Sequence, residues 1–437
     1  MKKSLVALAT LAATGAVMAQ ATIYGRMDVS YGVKQATFGN GGLNWKQTGL
    51  MDGLGTSNAI GFEAKESLGG GMSARFVGET GLSPTNGSGM FGMRTGTAGA
   101  QLDGYAANSA DAYDMGTRGA YSQAANRQTF VELSGGFGRV RAGFMRTLGY
   151  ELASFEGHTM TGEGAVGGQV AHTFGLGAAG GTRGNAIEYS LPKFGNLTVT
   201  LQNGSGGGRE LTEFGAGTQN TATGIASTQN TRNALKLDWA QGPAKVGMVY
   251  TTFMSSTSGA VRQFDFDGTT TTFENIASYN VFGALTGLNT AADRTGKSTY
   301  TTNLTQLAGS YDFGMLKIGA NINMGSQNNS EVATSGAAGT TTTAPTTVDI
   351  KSQAISLSMP MGAMVLAAGM GTASTSVAGV ATKDQSTSQL SLRYNFSKRT
   401  AVYGLIGNAK DQTPINATST SAVGYMTQTA AGVMTTF

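Results

Sequence analysis

Seven short turn sequences divide the chain into runs in which apolar and polar residues alternate. The turns are 66–71, 135–138, 192–196, 241–244, 312–314, 359–363 and 396–400. Long segments rich in Gly, Ser, Thr, Ala and Asn connect the runs at their opposite ends. Tight turns that alternate with long polar loops are typical of antiparallel barrels. Seven turns join fourteen strands, and one further run at each end predicts sixteen, with both termini on the side of the short turns.

The alternation within the runs has a period of two. In 315–324, Leu316 and Ile322 lie on the apolar face, whereas Lys317 and Asn321 lie on the polar face. Successive side chains of a strand point to opposite faces, so each strand has one apolar and one polar face. A soluble sandwich would show the same pattern with its apolar face inward. Because the polar faces carry many charged and amide residues, the pattern favours a barrel with water inside and lipid outside.

Aromatic residues and loop lengths also favour a membrane barrel. Four aromatic residues lie on apolar faces close to short turns, namely Tyr189, Trp239, Tyr311 and Tyr394. Such residues form girdles at the headgroup level of outer-membrane barrels, although ordinary core aromatics are the alternative. The predicted long loops are 34–58, 81–125, 147–184, 205–231, 255–299, 325–349, 373–385 and 409–423. Loops longer than about 15 residues are uncommon in soluble domains.

The N-terminal residues have the organisation of an export signal. Lys2 and Lys3 precede the apolar stretch 5–17, and Val17-Met18-Ala19 fits a small-residue cleavage site. The apolar stretch is too short to span a bilayer as a helix, although an uncleaved anchor is the alternative. We therefore expect a signal peptide over 1–19 and one outer-membrane barrel domain over 20–437.

Composition excludes several classes of protein. Cleavage after Ala19 would remove two lysines and leave 27 basic against 25 acidic residues, so net charge says little about partners. No run of Lys or Arg indicates nucleic-acid binding. The absence of cysteine excludes disulfide scaffolds and thiolate metal sites. No segment after the signal approaches 18 consecutive apolar residues, as a membrane helix would require.

Several segments resemble the trimeric general porins of Gram-negative outer membranes, which have sixteen strands. The similar segments are 21–32, 60–81, 130–155, 187–204, 307–322 and 392–411. The Gly-Gly-Phe-Gly turn at 135–138 and the terminal Phe437 are also typical of this family. The ending Val433-Met434-Thr435-Thr436-Phe437 keeps the aromatic residue but lacks the basic residues usual in the family's closing strand.

The resemblance implies an all-β, 16-stranded antiparallel transmembrane barrel with short periplasmic turns, long external loops and a third loop folded into the lumen. It also implies a homotrimer surrounded by outer-membrane lipid and lipopolysaccharide. The barrel-assembly machinery is expected to recognise the C-terminal strand that ends at Phe437. The implied function is passive diffusion of ions and small hydrophilic solutes. A substrate-specific channel and a mainly structural or adhesive barrel are the alternatives.

In this family, acids of the third loop face basic residues of the opposing wall. The corresponding loop here, 147–184, contains Glu151, Glu156 and Glu163. Alternation places on the polar, lumen-facing side the basic residues Arg26, Arg75, Arg139, Arg141, Lys236 and Arg393. Several further charged residues share that side, namely Glu63, Lys65, Glu79, Glu132, Glu188 and Asp238.

The three loop acids and the five arginines are the candidate pore-constriction residues. Opposed rows of fixed charge set up a transverse field that biases ion passage, and the wall arginines favour a mild anion preference. The alternative is that these side chains are merely solvated residues of the lumen wall.

Enzymatic and metal-binding functions have little support in the sequence. The chain has two histidines, His158 and His172, both in the predicted third loop, and no G-x-S-x-G, H-E-x-x-H or P-loop motif. We therefore expect neither catalysis nor a cofactor. Asp103, Asp111 and Asp114 could supply oxygen ligands to Ca²⁺, with a solvated loop as the simpler interpretation.

Overall fold

The computed structural model describes most of the chain after residue 19. The described ranges are 20–38, 45–85, 88–89, 127–152, 183–206, 225–260, 295–329, 332–336, 339–343, 345–378, 380–412 and 424–437. Several residues singled out above lie outside these ranges, namely 1–19, Asp103, Asp111, Asp114, Glu156, His158, Glu163 and His172. In the part of the chain that the structure describes, no helix has the length and apolar character needed to cross a membrane.

The described residues are almost entirely β-strand. The strands of the first half are β1 Gln20–Phe38, β2 Trp45–Asp52, β3 Ala59–Gly69, β4 Met72–Ser83, β5 Ser88–Gly89, β6 Gln128–Gly135, β7 Gly138–Arg146, β8 Arg183–Ser190, β9 Leu197–Gly206 and β10 Ile225–Gln241. Those of the second half are β11 Ala244–Ala260, β12 Thr295–Asp312, β13 Lys317–Asn329, β14 Val332–Gly336, β15 Gly339–Thr343, β16 Thr346–Met361, β17 Met364–Val377, β18 Val380–Asn395, β19 Thr400–Gln412 and β20 Gly424–Thr436. One helical turn, Leu148–Glu151, follows β7.

Antiparallel pairing joins sixteen of the described strands into a closed ring, which confirms the predicted fold. The ring order is β1, β3, β4, β6 to β13, β16 to β20, and then β1 again. At the closure, Arg26–Phe38 of β1 pairs with Gly424–Thr436 of β20. The Phe437 amide donates to the Gly25 carbonyl at 3.0 Å and the Gly25 amide donates to the Phe437 carbonyl at 3.0 Å.

The strands at the long-loop end extend further than the sequence indicated. The predicted loops 205–231 and 255–299 are too long, because β10 already begins at Ile225 and β11 ends only at Ala260. These two residues pair with each other. Similarly, β13 continues to Asn329. These extensions consist largely of Thr, Ser and Asn, which resemble loop residues in composition. Threonine nevertheless has a high β-propensity, and paired strands can continue above the membrane.

The exposure of side chains is inverted relative to a soluble protein. Ile23 is 71% exposed and Met370 63%, whereas the polar residues Gln306 and Gln428 are 0% and 1% exposed. Apolar residues therefore face outward and polar residues face inward, as in a barrel that spans a membrane. Tyr311 and Tyr394 are exposed near short turns, in agreement with an outward aromatic girdle.

Candidate functional site

A row of alternating charges crosses the lumen face of four neighbouring strands. In direct register, Arg75 of β4 pairs with Glu132 of β6, Glu132 with Arg141 of β7, and Arg141 with Glu188 of β8. Opposite charges at directly opposed positions attract each other, because their Cβ atoms are close together. Arg75 Nη2 also donates to Glu63 Oε2 at 2.9 Å, which extends the row to β3.

Glu188 is the most heavily bonded acid of this row. Its side chain is 0% exposed. Its Oε1 accepts hydrogen bonds from Arg141 Nε at 2.8 Å and from Arg139 Nη2 at 3.1 Å. Its Oε2 accepts one from Gln202 Nε2 of β9 at 3.1 Å. A buried carboxylate is tolerated only with such partners, so Glu188 holds three strands together.

The third loop begins by turning into the barrel. Thr147 caps the helical turn, since its Oγ1 accepts from the Tyr150 amide at 3.2 Å. Leu148 and Leu152 are buried and pack in one apolar cluster with Ala234 of β10, Val249 of β11 and Ala308 of β12. The last three residues lie on the lumen faces of their strands, so the first turn of the loop is anchored to the inside of the wall.

A polar contact fixes the same turn. Glu151 Oε1 accepts from Arg141 Nη2 at 3.1 Å, and Glu151 Oε2 lies 3.6 Å from Lys236 Nζ. Lys236 Nζ in turn lies 2.9 Å from Asp238 Oδ2. Burial raises the pKa of the Glu151 carboxyl, but the charges of Arg141 and Lys236 outweigh that effect and hold it below its usual range. The loop acid is therefore ionised at neutral pH.

A second ionic cluster lies toward the long-loop end of the same wall. Glu79 Oε1 accepts from Arg26 Nη2 at 3.0 Å and from Arg127 Nε at 2.9 Å. Tyr24 Oη donates to Glu79 Oε2 at 3.3 Å. Among the described residues of this cluster, one carboxylate is thus shared by two guanidinium groups.

Three further arginines belong to the same wall, namely Arg146, Arg183 and Arg232. The guanidinium carbons of Arg146 and Arg183 each lie 5.5 Å from the ring centroid of Tyr150, within the range of a cation–π interaction. Arg232 lies over Gly184 and Gly204. A Cβ atom on Gly184 would be 3.2 Å from Arg232 Nη2, and one on Gly204 would be 3.1 Å from it. Glycine at these two positions therefore makes room for a guanidinium against the wall.

We call the whole set the charged wall. Its basic members are Arg26, Arg75, Arg127, Arg139, Arg141, Arg146, Arg183, Arg232 and Lys236. Its acidic members are Glu63, Glu79, Glu132, Glu151, Glu188 and Asp238. Basic residues outnumber acidic ones among these described members, and guanidinium groups stay charged at any physiological pH.

The structure places the sequence-predicted site residues in two regions. Arg26, Arg75, Arg139, Arg141 and Glu151 belong to the charged wall. Arg393 lies on β18, and no ion-pair partner is found for it among the described residues.

Four arginines of the charged wall were missed. Arg127, Arg146 and Arg183 lie at strand ends, whereas Arg232 lies inside β10, which begins at Ile225; the sequence placed all four in or next to predicted loops. Alternation could have identified Arg232, which shares its face with Lys236. It could not have identified Arg146 and Arg183, because the chain turns inward directly after Arg146.

Comparisons with known proteins agree with this architecture. The family model described as Gram-negative porin matches residues 4–414. Outer membrane porin protein 32 of Delftia acidovorans is 33% identical over 210 residues, a match that covers 46% of this chain and 48% of the relative. This curated relative is thus matched over about half of its length.

Solved structures show the same fold. The anion-selective porin from Comamonas acidovorans superimposes with a TM-score of 0.59 at 17% identity, covering 96% of this chain and all of that one. The trimer form of Vibrio cholerae OmpT gives 0.53 at 13% identity, covering 96% and 99%. The fold and the inward charged wall define an outer-membrane β-barrel of the porin type. With the family match over nearly its whole length, the chain belongs to the Gram-negative porin family.

Proposed function

We propose that the protein is a passive outer-membrane channel for ions and small hydrophilic solutes, with a mild preference for anions. The observation that carries this proposal is the composition of the described charged wall, in which nine basic side chains accompany six carboxylates. A surplus of fixed positive charge on one side of a water-filled lumen raises the local concentration of anions. The Comamonas acidovorans porin of similar fold is described as anion-selective, which is consistent with the proposal.

We also propose that Arg26, Arg75, Arg139, Arg141 and Arg393 act with the third-loop acids Glu151, Glu156 and Glu163 at the pore constriction. Contacts of Arg141 with both Glu151 and Glu188 support this role for Arg141 most directly. Arg393 would act from the opposite side of the lumen.

The reversal potential of the reconstituted channel in a salt gradient tests the anion preference. We expect an anion preference in the wild type and a smaller one in Arg141→Gln. Lys351→Gln is the matched control, because it removes the same charge from an exposed position on the outward face of β16. A cation preference in the wild type, or equal shifts in the two variants, would contradict the proposal.

We also propose a trimeric assembly and a set of contacts that surround the barrel. A homotrimer is supported by the trimer form of Vibrio cholerae OmpT, and crosslinking of the folded protein in membranes tests it. Contacts with lipid and lipopolysaccharide follow from the apolar outer face. Recognition by the barrel-assembly machinery would use the closing strand and Phe437.

We further propose that cleavage after Ala19 yields a mature chain without enzymatic activity, and the mass of the mature protein tests the cleavage site.

A further inference from the structure

A short irregular segment interrupts the wall between β2 and β3. Val29 of β1 pairs with Asp52, and Arg26 pairs with Ala59. Residues 53–58 therefore lie opposite only two residues of β1, Met27 and Asp28. The segment therefore has four residues more than can pair with β1. These surplus residues must leave the plane of the wall. We call residues 53–58 the inner ledge.

Apolar packing shows that the ledge enters the lumen. Leu54 is 1% exposed and forms a buried cluster with Met51, Tyr403, Leu405 and Ala430. Tyr403 and Leu405 alternate with the outward-facing Ile406, which is 51% exposed, so they lie on the lumen face of β19. The ledge thus folds inward across the seam where β20 meets β1.

A buried carboxylate fixes the ledge in this position. Asp28 is 0% exposed, and its Oδ2 accepts from the amides of Gly55 at 2.5 Å and Thr56 at 2.7 Å. Its Oδ1 accepts from Tyr403 Oη at 2.6 Å. Asn58 bonds the Asp28 backbone on both sides, since Oδ1 accepts from the Asp28 amide and Nδ2 donates to its carbonyl. Charge-assisted bonds of this kind hold the backbone in one conformation.

The far end of the ledge contacts the charged wall. The Ser57 carbonyl accepts from Arg26 Nε at 2.6 Å, and Ser57 Oγ accepts from Arg127 Nη2 at 3.0 Å. The same two arginines hold Glu79. Ser57 therefore orients two guanidinium groups of the lumen.

The ledge lies opposite the anchor of the third loop. The ledge packs at β19, β20 and β1, whereas the loop turn packs at β10, β11 and β12. In the ring order, β10 is the eighth strand after β20, and the ring has sixteen strands. Eight strands are half of the circumference.

We propose that the inner ledge is a second constriction element, which narrows the lumen from the wall opposite the third loop and positions Arg26 and Arg127 through Ser57. The narrowest cross-section then lies between two inward segments. This inference rests on the proposed channel function.

Deletion of residues 53–56 is the most direct test. It leaves Ser57 opposite Asp28 and Asn58 opposite Met27, which restores an uninterrupted antiparallel ladder. We expect single-channel conductance to rise by roughly 1.5-fold or more, with passage of larger neutral polymers, because a wider pore passes more ions. The same deletion combined with Asp28→Asn controls for the carboxylate newly exposed to water, and the rise should persist. Unchanged conductance would overturn the proposal.

A labelling experiment keeps the proposal testable if the deletion fails to fold. The chain contains no cysteine, so Thr56→Cys introduces a unique thiol on the ledge. A bulky water-soluble methanethiosulfonate should lower the conductance of this variant. Tyr31→Cys is the control, because Tyr31 is 62% exposed on the lipid face.

The two hypotheses fail in different ways. A wild type without conductance would refute the channel function. A conducting wild type whose Thr56→Cys variant is labelled without loss of conductance would refute only the role of the ledge.

Discussion

The two halves of the lumen wall share one strand geometry but differ in polar chemistry. The half from β3 to β10 carries paired arginines and carboxylates. The buried polar residues described on β12 to β18 are uncharged, namely Thr302, Gln306, Ser310, Asn321, Asn323, Gln327, Ser352, Ser356, Thr375, Thr387, Gln389 and Ser391. The strand pattern requires only that these positions be polar. The choice between charged and uncharged polar side chains therefore determines the electrostatic potential of the lumen without changing the fold.

The halves also differ in how well their polar groups are bonded. Glu188 accepts from three side chains, whereas both side-chain polar atoms of Gln306 and of Asn321 are buried and have no hydrogen-bond partner among the described residues. Among the described residues, shared carboxylates thus cross-link the charged half, whereas Gln306 and Asn321 add no side-chain hydrogen bond to the half from β12 to β18. Substitutions in the two halves should have unequal consequences for stability.

The largest effect is expected from Glu188→Gln. This substitution leaves Arg139 and Arg141 without their shared buried acid, and removal of one partner of a buried ion pair costs about 3–5 kcal/mol. The free energy of unfolding, measured by urea titration in detergent micelles, should fall by this amount. Glu66→Gln makes the same chemical change at an exposed position of β3 and should have little effect. Equal effects of the two variants would contradict the buried network.

A matched pair of glutamines compares the halves directly. Gln202 Nε2 donates to Glu188 Oε2 at 3.1 Å and to the Arg146 carbonyl at 3.0 Å. Gln202→Leu should therefore lower the free energy of unfolding by about 1–3 kcal/mol, since it leaves buried acceptors unsatisfied. Gln306→Leu should change it by less than about 1 kcal/mol in either direction, because no bond is lost. A larger loss for Gln306→Leu than for Gln202→Leu would remove the distinction between the halves.

Alternation and turn chemistry made the fold predictable, and the family resemblance implied the inward third loop, whereas nothing in the sequence predicted the inner ledge. The period of two assigned Arg75, Arg141 and Glu188 to the lumen, because each strand is paired on both sides and cannot rotate. The inner ledge was hidden in the predicted loop 34–58, since its position depends on contacts between Asp28 and Tyr403, 375 residues apart. Long-range contacts of this kind leave no periodic signal in the sequence.

The smallest effect is the change of ion selectivity on titration of Glu151, the acid that joins the third loop to the charged half. Because the pKa of Glu151 is lower in the folded state, its ion pairs stabilise the protein fully above the ordinary carboxyl pKa of about 4.3. This contribution is lost as the pH falls through the lower folded pKa. Protonation there releases positive charge on Arg141 and Lys236, so anion preference should increase.

The comparison of wild type with Glu151→Gln isolates this carboxyl from the other acids of the wall. Their reversal potentials should differ by a constant amount from about pH 7 down to about pH 4.3 and converge only at lower pH. Convergence near pH 6 would mean that Glu151 titrates above its usual range, as an unpaired buried acid does. The pairs with Arg141 and Lys236 would then not form in the membrane, and the apolar cluster of Leu148 and Leu152 would be the remaining described contact of the third-loop turn with the wall.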